Sequence, residues 1–242
     1  MAQRAGIHPV IEALRAQKPL ERVLIAKGTA GPRIQEIIDL CRAQAIPVRF
    51  EDRGVMDRIV PGTTHQGVIA QGAAGRYSEL ESVASGARML VILDGVEDPH
   101  NLGAIVRTAH AAGVDAVIVP GRRAAGLTEA VSKAAAGALE FLPVARVTNI
   151  RRALESLKER GYWIYGVDER GAETYDRVEF TEPAAVVLGG EGKGLHQHIK
   201  QACDVLVRIP VAGRISSLNV SVAVGVVLFE WKRRRTAKTP LP

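Results

Sequence analysis

The stretch RIPVAGRISSLNVSVAVGVV, from Arg208 to Val227, decides how the C-terminal part of this chain folds. It begins with a short apolar segment, which is typical of a buried strand, and it ends with an uncharged apolar run, which is typical of a buried helix. Between the two stand Ser216, Ser217 and Asn219, residue types that cap helix N-termini. The stretch therefore predicts a strand that bends into a capped helix, and such a bend presents unpaired backbone N–H groups at one point.

Upstream of this stretch, short apolar segments alternate with helical patterns. Strands are predicted at Met89–Asp94, Ala116–Pro120, Phe141–Ala145, Tyr162–Val167, Ala185–Gly190 and Val205–Pro210, and helices at Leu102–Ala112, Thr128–Ala136, Asn149–Arg160, Leu195–Gln201 and Asn219 to about Arg233. This alternation predicts an α/β domain with a parallel sheet and helices on both of its faces. In such domains ligands bind outside the carboxyl ends of the strands.

The N-terminal part repeats the pattern on a smaller scale. Helices are predicted at Pro9–Gln17, Pro32–Ala45 and Val55–Ile59, and strands at Arg22–Ala26, Pro47–Phe50 and Gly67–Gln71. From 72 to 86 the periodicity is lost and Gly, Ala and Ser predominate, which is typical of a linker. We therefore expect a small α/β domain over residues 1–75, a linker over 76–86 and the larger domain over 87–242.

Composition limits the classes of protein that are possible. A chain of 242 residues with 47% hydrophobic content can bury two cores without metals or disulfides. Cys41 and Cys203 have no metal-ligand spacing, so we interpret them as small buried residues in a reducing cytoplasm and expect no metal. The sequence begins with no apolar leader, and the uncharged apolar run Ile215–Phe229 is too short to cross a bilayer. We therefore expect a cytoplasmic protein with no membrane partner.

Charge is distributed unevenly along the chain. Residues 1–75 carry a net charge of +3, residues 76–231 carry −2, and the tail KRRRTAK at 232–238 carries +5. Basic ends around a nearly neutral middle suit a polyanion that is held by the flanking parts of the protein. A solvated, mobile C-terminal tail is an equally open interpretation.

Three loops at strand ends carry the candidate chemistry. One is DGVEDPHNLGAIVRT at 94–108, in which Asn101 opens a helix and Arg107 follows six positions later. Another is LGGEGKGL at 188–195, with an acid at Glu191, and the third is the stretch quoted above. The Gly-rich loop alone is also compatible with an ordinary tight turn. Neither a dinucleotide-binding fingerprint nor a P-loop is present, which disfavours a nicotinamide-dependent or nucleotide-hydrolysing enzyme.

Taken together, the segments NLGAIVRTA, LGGEGKGL and RIPVAGRISSLNVSVA resemble, in order and separation, the three motifs of the SpoU (TrmH) family of RNA ribose 2′-O-methyltransferases. This resemblance covers residues 88 to 230. The segments GIHPVIEAL at 6–14 and HQGVIAQ at 65–71 resemble the L30-like substrate domain of a subgroup that methylates a guanosine of large-subunit ribosomal RNA.

The resemblance implies a fold and partners that composition could not show. The catalytic domain would carry a deep trefoil knot of the SPOUT type, with the loops at 188–195 and 208–219 side by side. S-adenosylmethionine would bind in the knotted crevice through the backbone of Gly189, Ile209 and Leu218. The RNA substrate would be 23S ribosomal RNA, and the last helix would pack in a homodimer interface.

The resemblance also implies catalytic roles. Arg107 corresponds to the residue nearest the reacting hydroxyl, which the family assigns as the base. Because a guanidinium normally stays protonated, we favour the hypothesis that Arg107 orients a substrate phosphate and stabilises the developing alkoxide. Asn101 would hold Arg107 or the ribose, Glu191 would pair with Arg107 or accept a hydrogen bond from the RNA, and Ser217 and Asn219 would face the RNA or Arg107.

All of these residues except Arg107 also have a purely structural interpretation. Asn101, Ser217 and Asn219 could be helix caps, and Glu191 could be a solvated loop acid. His196 and His198 are two positions apart on a predicted helix, so their side chains should point apart and not bind a metal. Trp163 and Trp231 are expected in the core or an interface. Alternative functions are methylation of transfer RNA or of another ribosomal RNA site, and a non-catalytic RNA-binding assembly factor.

Overall fold

The computed structural model describes residues 3–72, 77–190, 194–214 and 217–238, with side chains through Thr236. Internal contacts divide the chain into two compact units. One comprises Met1–Arg76 with Gly126–Ser132, and the other comprises Tyr77–Ala125 with Lys133–Pro242.

The N-terminal unit is a four-stranded sheet covered by helices on both faces. Its elements are β1 (Gln3–Ala5), α1 (Ile7–Arg15), β2 (Leu20–Ala26), α2 (Pro32–Ala43), β3 (Val48–Glu51), α3 (Arg53–Ile59) and β4 (Val68–Gly72). The strand order is β1-β4-β2-β3, with β4 antiparallel to β1 and β2, and β3 parallel to β2. The predicted αβαβαβ pattern is present, and β1 is an additional strand too short to give a periodic signal.

Strand β2 shows how this unit forms its core. Val23 and Ile25 are fully buried in a cluster with the apolar faces of α1 and α2, whereas Leu24 and Ala26 are buried with Met56 of α3. Successive side chains of a strand point to opposite faces. A strand without polar alternation therefore packs against helices on both sides.

The C-terminal unit is built around a seven-stranded sheet. Its elements are α4 (Leu80–Ala84), β5 (Met89–Asp94), α5 (Pro99–Ala112), β6 (Ala116–Pro120), α6 (Glu129–Ala135), a 3₁₀ turn (Ala138–Glu140), β7 (Val144–Val147), α7 (Ile150–Glu159), β8 (Trp163–Val167), β9 (Glu173–Thr174), β10 (Ala184–Gly189), α8 (Gln197–Lys200), β11 (Val205–Arg208) and α9 (Val220–Lys238). For α6, the first residues belong to the segment grouped with the other unit.

All strand pairs of this sheet are parallel, in the order β7-β6-β5-β10-β8-β11-β9. This arrangement confirms the predicted parallel α/β class. After β5 the chain adds β6 and β7 on one side and then returns to build the other side, which makes β5 a point where the strand order reverses. In open α/β sheets, ligands bind outside the carboxyl ends of the strands at such a point. Here β10 continues that edge, with Gly189 in register with Asp94.

Two predicted boundaries were wrong for identifiable reasons. Helix α5 begins at Pro99, not Leu102, because the Asp98 carboxylate caps it by accepting a hydrogen bond of 2.9 Å from the His100 N–H. Strand β7 begins at Val144, not Phe141, because the preceding 3₁₀ turn leaves Phe141 75% exposed.

The segment predicted as a linker, residues 76–86, contains a helix. Helix α4 forms there, and the side chains of Leu80 and Val83 are buried in the core cluster of the C-terminal unit. A five-residue helix spans little more than one turn, so it gives no detectable periodicity.

Candidate functional site

A cavity of about 660 Å³ opens at the carboxyl edge of the C-terminal sheet. It is bordered by residues that follow β8, by the end of β10, by residues that follow β11 and by the segment leading into α9. Cavities that bind small molecules measure roughly 300–1,000 Å³. The edge that the strand pattern predicted as the ligand site therefore carries a cavity of suitable size.

The glycines at the end of β10 are required by close backbone approaches. A Cβ atom on Gly189 would overlap the backbone of Gly194, and one on Gly190 would overlap the carbonyl of Gly95. The Gly190 N–H donates to the carbonyl of Asp94 at 2.9 Å, which holds this loop against the end of β5. Side chains at these two positions would push the loop away from the cavity wall.

The three residues predicted to meet a cofactor line this one cavity. Gly189 lies at the end of β10, Ile209 directly follows β11, and Leu218 precedes α9. Ile209 is half-buried and Leu218 is 41% exposed. Ser217 and Asn219, on either side of Leu218, line the same cavity and are exposed.

A hydrogen bond joins two of the predicted catalytic residues across 118 positions of sequence. The Asn219 Nδ2 donates to the Asn101 Oδ1 at 3.0 Å. Asn101 is buried in the first turn of α5, and α5 packs against α9. The start of α5 is thereby fastened to the segment that lines the cavity.

Asn219 caps α9 as well. Its Oδ1 accepts hydrogen bonds from the Ser221 N–H at 2.9 Å and from the Ser221 hydroxyl at 2.6 Å. The structural interpretation of Asn219 therefore holds alongside its contact with Asn101. For Asn101 the capping interpretation is wrong, because Asp98 is the cap of α5.

Arg107 lies on the exposed side of α5, six residues after Asn101. That separation corresponds to about 9 Å along a helix axis, at 1.5 Å per residue. The described residues give its guanidinium no hydrogen-bond or ion-pair partner, and Arg107 is not among the residues that border the cavity. Because helical Cα–Cβ bonds tilt toward the N-terminus, its side chain starts out toward the Asn101 end of α5. Glu191 lies outside the described residues.

The sequence did not indicate two buried acids at the same edge. Asp94, the last residue of β5, contacts the Nδ1 of His196 at 2.8 Å and accepts from the His196 N–H at 3.0 Å. Asp168, which follows β8, pairs with Lys200 at 2.6 Å, and both of these residues line the cavity. Their positions, Asp94 at the end of one predicted strand and Asp168 directly after another, were the one signal that could have identified them.

The two histidines are not arranged as predicted. Helix α8 begins at Gln197, so His196 is its extended N-cap residue and the two imidazole rings lie 5.7 Å apart instead of pointing away from each other. The Asp94 carboxylate engages His196. Across the described ranges, no group of three or more His, Cys, Asp or Glu side chains is placed to hold a metal ion.

Helix α9 is buried on one side. Val224, Val227, Leu228 and Trp231 are buried, whereas Val222 and Phe229 are 51% and 48% exposed. The latter two are seven residues apart and so lie on one face of the helix. Within a single chain the helix therefore leaves part of its apolar surface exposed. None of the helices in the described part of the chain is long and apolar enough to span a bilayer.

Near its C-terminal end, α9 carries an acid held by two arginines. Hydrogen bonds from Arg233 and Arg234 lower the pKa of Glu230 to about 2. Trp231, the next residue of the helix, is 3% exposed and its Nε1 donates to the Glu182 carboxylate at 3.0 Å. Trp163, in contrast, is 45% exposed.

The parallel sheet, the reversal of strand order and the cavity at the carboxyl edge are typical of open α/β domains that bind a small ligand. Two family models match the chain: the SpoU rRNA methylase family over residues 88–229, and the RNA 2′-O ribose methyltransferase substrate-binding domain over residues 5–78. The chain belongs to the SpoU family of RNA methyltransferases.

Individual relatives match almost the whole chain. It is 44% identical to the 23S rRNA (guanosine-2′-O-)-methyltransferase RlmB of Pseudomonas syringae, over 96% of each protein. It is 43% identical to YacO of Bacillus subtilis, whose name places it in the TrmH family of tRNA/rRNA methyltransferases, over 95% of this chain and 94% of that protein. Among solved structures, an AdoMet-bound rRNA methyltransferase from Sinorhizobium meliloti is similar with a TM-score of 0.61 and 26% identity, over 96% of this chain and 87% of that one.

Proposed function

We propose that this protein transfers the methyl group of S-adenosylmethionine to the ribose 2′-hydroxyl of a guanosine in 23S ribosomal RNA. Membership of the SpoU family supports the reaction, and similarity to RlmB over nearly the full chain supports the substrate. The observation that carries the proposal is the Asn101–Asn219 hydrogen bond, which fastens the helix bearing Arg107 to the wall of the cavity. A ribosomal RNA substrate also supports a cytoplasmic location.

The residues of the cavity fit the cofactor. Its volume of about 660 Å³ suits a ligand of this size. Leu188, Ile209 and Leu218 offer apolar surface, and the glycines at 189 and 190 add no side chains to this part of the wall. Gly189, Ile209 and Leu218 are the residues that we assign to cofactor binding. When bound, S-adenosylmethionine supplies an activated methyl group.

The side chains of the protein have to position the RNA and assist the loss of the proton from the ribose 2′-hydroxyl. Holding two reactants in the correct geometry can contribute about 7–11 kcal/mol to lowering a barrier. Asn101 and Asn219 serve this purpose in our proposal, since each fixes the other and Asn219 borders the cavity. Ser217, exposed on the same wall, would bind the RNA or Arg107 through its hydroxyl.

Arg107 is the residue that we assign to the reacting hydroxyl. Its exposure leaves the guanidinium available for a substrate phosphate, with which it can form two parallel hydrogen bonds. A cation there also stabilises the alkoxide as the 2′-hydroxyl loses its proton. Glu191 remains a candidate partner of Arg107 or of the RNA.

The division of labour between domains is a further part of the proposal. We assign residues 1–75 to an L30-like domain that binds the RNA substrate, 76–86 to the connection, and 87–242 to the methyltransferase domain with its basic C-terminal tail. The match of residues 5–78 to a substrate-binding family model supports this assignment. If a chain without residues 1–75 stayed folded by circular dichroism and methylated the same nucleotide with unchanged selectivity, the assignment would be refuted.

We also propose a homodimer formed through α9. Val222 and Phe229 expose an apolar face on a helix whose other face is buried in its own unit. Phe229→Glu should shift the protein from dimer to monomer in sedimentation velocity. The matched control is Phe50→Glu, because Phe50 is 53% exposed in the N-terminal unit. A Phe229→Glu protein that sediments like the wild type would contradict this interface.

Methylation itself is tested by incubating purified protein with tritiated S-adenosylmethionine and 23S rRNA, 16S rRNA or transfer RNA. Label in 23S rRNA at one guanosine ribose is expected. Label in another RNA would favour the tRNA or other rRNA alternative. RNA binding without label in any substrate would favour a non-catalytic assembly factor.

A further inference from the structure

An ion pair gives one wall of the cavity a buried charge. Asp168 follows β8 and its side chain is 4% exposed, while Lys200 ends α8 and its side chain is 21% exposed. The Lys200 Nζ lies 2.6 Å from the Asp168 Oδ2, and both residues border the cavity. Neither belongs to the motifs by which the family was recognised.

The two partners differ in their spare hydrogen-bonding capacity. Both oxygens of Asp168 are engaged, Oδ2 by Lys200 and Oδ1 by the Arg170 N–H at 3.1 Å. An ammonium group has three donors, and the ion pair uses one of them. Lys200 therefore retains donors beside the cavity.

The other charged residues of this wall are exposed. Arg170 also borders the cavity, but its side chain is 84% exposed and pairs with Glu169 at 3.7 Å. The remainder of the cavity lining includes the apolar residues Leu188, Ile209, Val211, Leu218, Val220 and Ala223. Lys200 is thus the shielded cation of the cavity wall, where its attraction for an anion is screened less than that of an exposed cation such as Arg170.

S-adenosylmethionine carries a sulfonium, an α-ammonium and one anionic group, the α-carboxylate of its methionine part. Building on the proposed function, we infer that Lys200 binds this carboxylate and that Asp168 is a positioning residue that holds the Lys200 ammonium at the cavity wall. A buried ammonium without a partner carries a large desolvation cost. The Asp168 carboxylate offsets that cost before any cofactor arrives.

The experiment compares two ligands that differ in the amino-acid part. S-adenosylhomocysteine contains the α-carboxylate, whereas 5′-methylthioadenosine has the same adenine and ribose and lacks it. By isothermal titration calorimetry on the full chain, Lys200→Met should weaken S-adenosylhomocysteine binding about 10- to 100-fold, the range of a charged hydrogen bond. Binding of 5′-methylthioadenosine should change less than about twofold.

Three further variants make the result of this test unambiguous. Lys158→Met is the matched control, because Lys158 forms a similar ion pair of 2.7 Å with Asp204 and does not border the cavity. It should leave both affinities unchanged. Lys200→Arg keeps the charge and should restore part of the lost affinity. If Lys200→Met fails to fold, Asp168→Asn decides, and it should weaken S-adenosylhomocysteine more than 5′-methylthioadenosine.

The outcomes separate this inference from the proposed function. If wild-type protein binds both ligands and the variants leave both affinities unchanged or lower them equally, the inference is overturned while the proposed function stands. If wild-type protein binds neither these ligands nor S-adenosylmethionine, the proposed function fails and the inference fails with it.

Discussion

The hydrogen bond between Asn101 and Asn219 makes a quantitative prediction for a double-mutant cycle. Asn219→Ala removes the cap of α9, which costs about 0.5–2 kcal/mol, and the 3.0 Å bond to Asn101, which contributes about 0.5–1.5 kcal/mol. We expect a total loss of about 2 kcal/mol in the free energy of unfolding. For a protein of this size that corresponds to a decrease of roughly 4–8 °C in Tm.

Asn101→Ala removes the shared bond without removing a cap. The double variant should therefore be less destabilised than the sum of the single variants, by about 1 kcal/mol, since contacting residues couple by about 0.5–3 kcal/mol. Both tryptophans of the chain, Trp163 and Trp231, lie in the C-terminal unit. Tryptophan fluorescence during urea unfolding thus reports the unit that contains the pair.

Asn149→Ala provides the matched control. The Asn149 Oδ1 caps α7 by accepting from the Arg152 N–H at 3.1 Å. The loss of this cap should lower the free energy of unfolding by about 1 kcal/mol. The effect of Asn149→Ala should add to that of Asn101→Ala. A coupling between Asn101 and Asn219 below about 0.3 kcal/mol, the usual error of additivity, would refute the bond as a link between the helices.

Three other predictions follow from single groups. Arg107→Ala should abolish methyl transfer while S-adenosylhomocysteine affinity by calorimetry stays within about twofold; retained turnover would contradict its assigned role. The pKa of Glu230 is lowered to about 2, so the ionised carboxylate stabilises the fold fully above its ordinary pKa of 4.5. This contribution is lost as the pH falls toward 2. The urea midpoints of the wild type and of Glu230→Gln should therefore converge over that pH interval. Burial raises the pKa of Cys41 and of Cys203 to about 12, so iodoacetamide at pH 8 should alkylate native protein far more slowly than unfolded protein, as mass spectrometry can show.

The sequence predicted what depends on local pattern. Apolar segments of five or six residues marked every strand of the C-terminal sheet except the two-residue β9, and Asn219 before an apolar run marked the start of α9. These signals are local because strand burial and helix capping are decided within a few residues. The motifs added the residues of the cavity wall, Gly189, Ile209 and Leu218, through resemblance to a family.

Contacts between distant segments could not be predicted in this way. The pairing of Asn101 with Asn219 depends on which strands are neighbours, and nothing in the sequence of β10 shows that it inserts between β5 and β8. Asp168 is one of 26 acidic residues, and its burial beside Lys200 results from the same strand order. Likewise, α4 and β1 are too short for periodicity to indicate them.

The double role of Asn219 determines how its contribution to catalysis can be measured. Asn219→Ala removes both the cap of α9 and the hydrogen bond to Asn101 of α5. A loss of activity in this variant would therefore not show which of the two changes caused it. Asn219→Asp separates the two effects, because the carboxylate still accepts from the Ser221 N–H and its charge suits a helix N-terminus. The carboxylate offers no donor to the Asn101 Oδ1, however.

If the Asn101 contact places α5 for catalysis, Asn219→Asp should retain most of the stability lost in the alanine variant. Its methyl transfer should nevertheless fall as far as that of Asn219→Ala. Comparing the two variants in the urea and tritium assays tests this. An aspartate variant with wild-type activity would show that capping α9 is the whole contribution of Asn219, because the cap is the interaction that this substitution preserves.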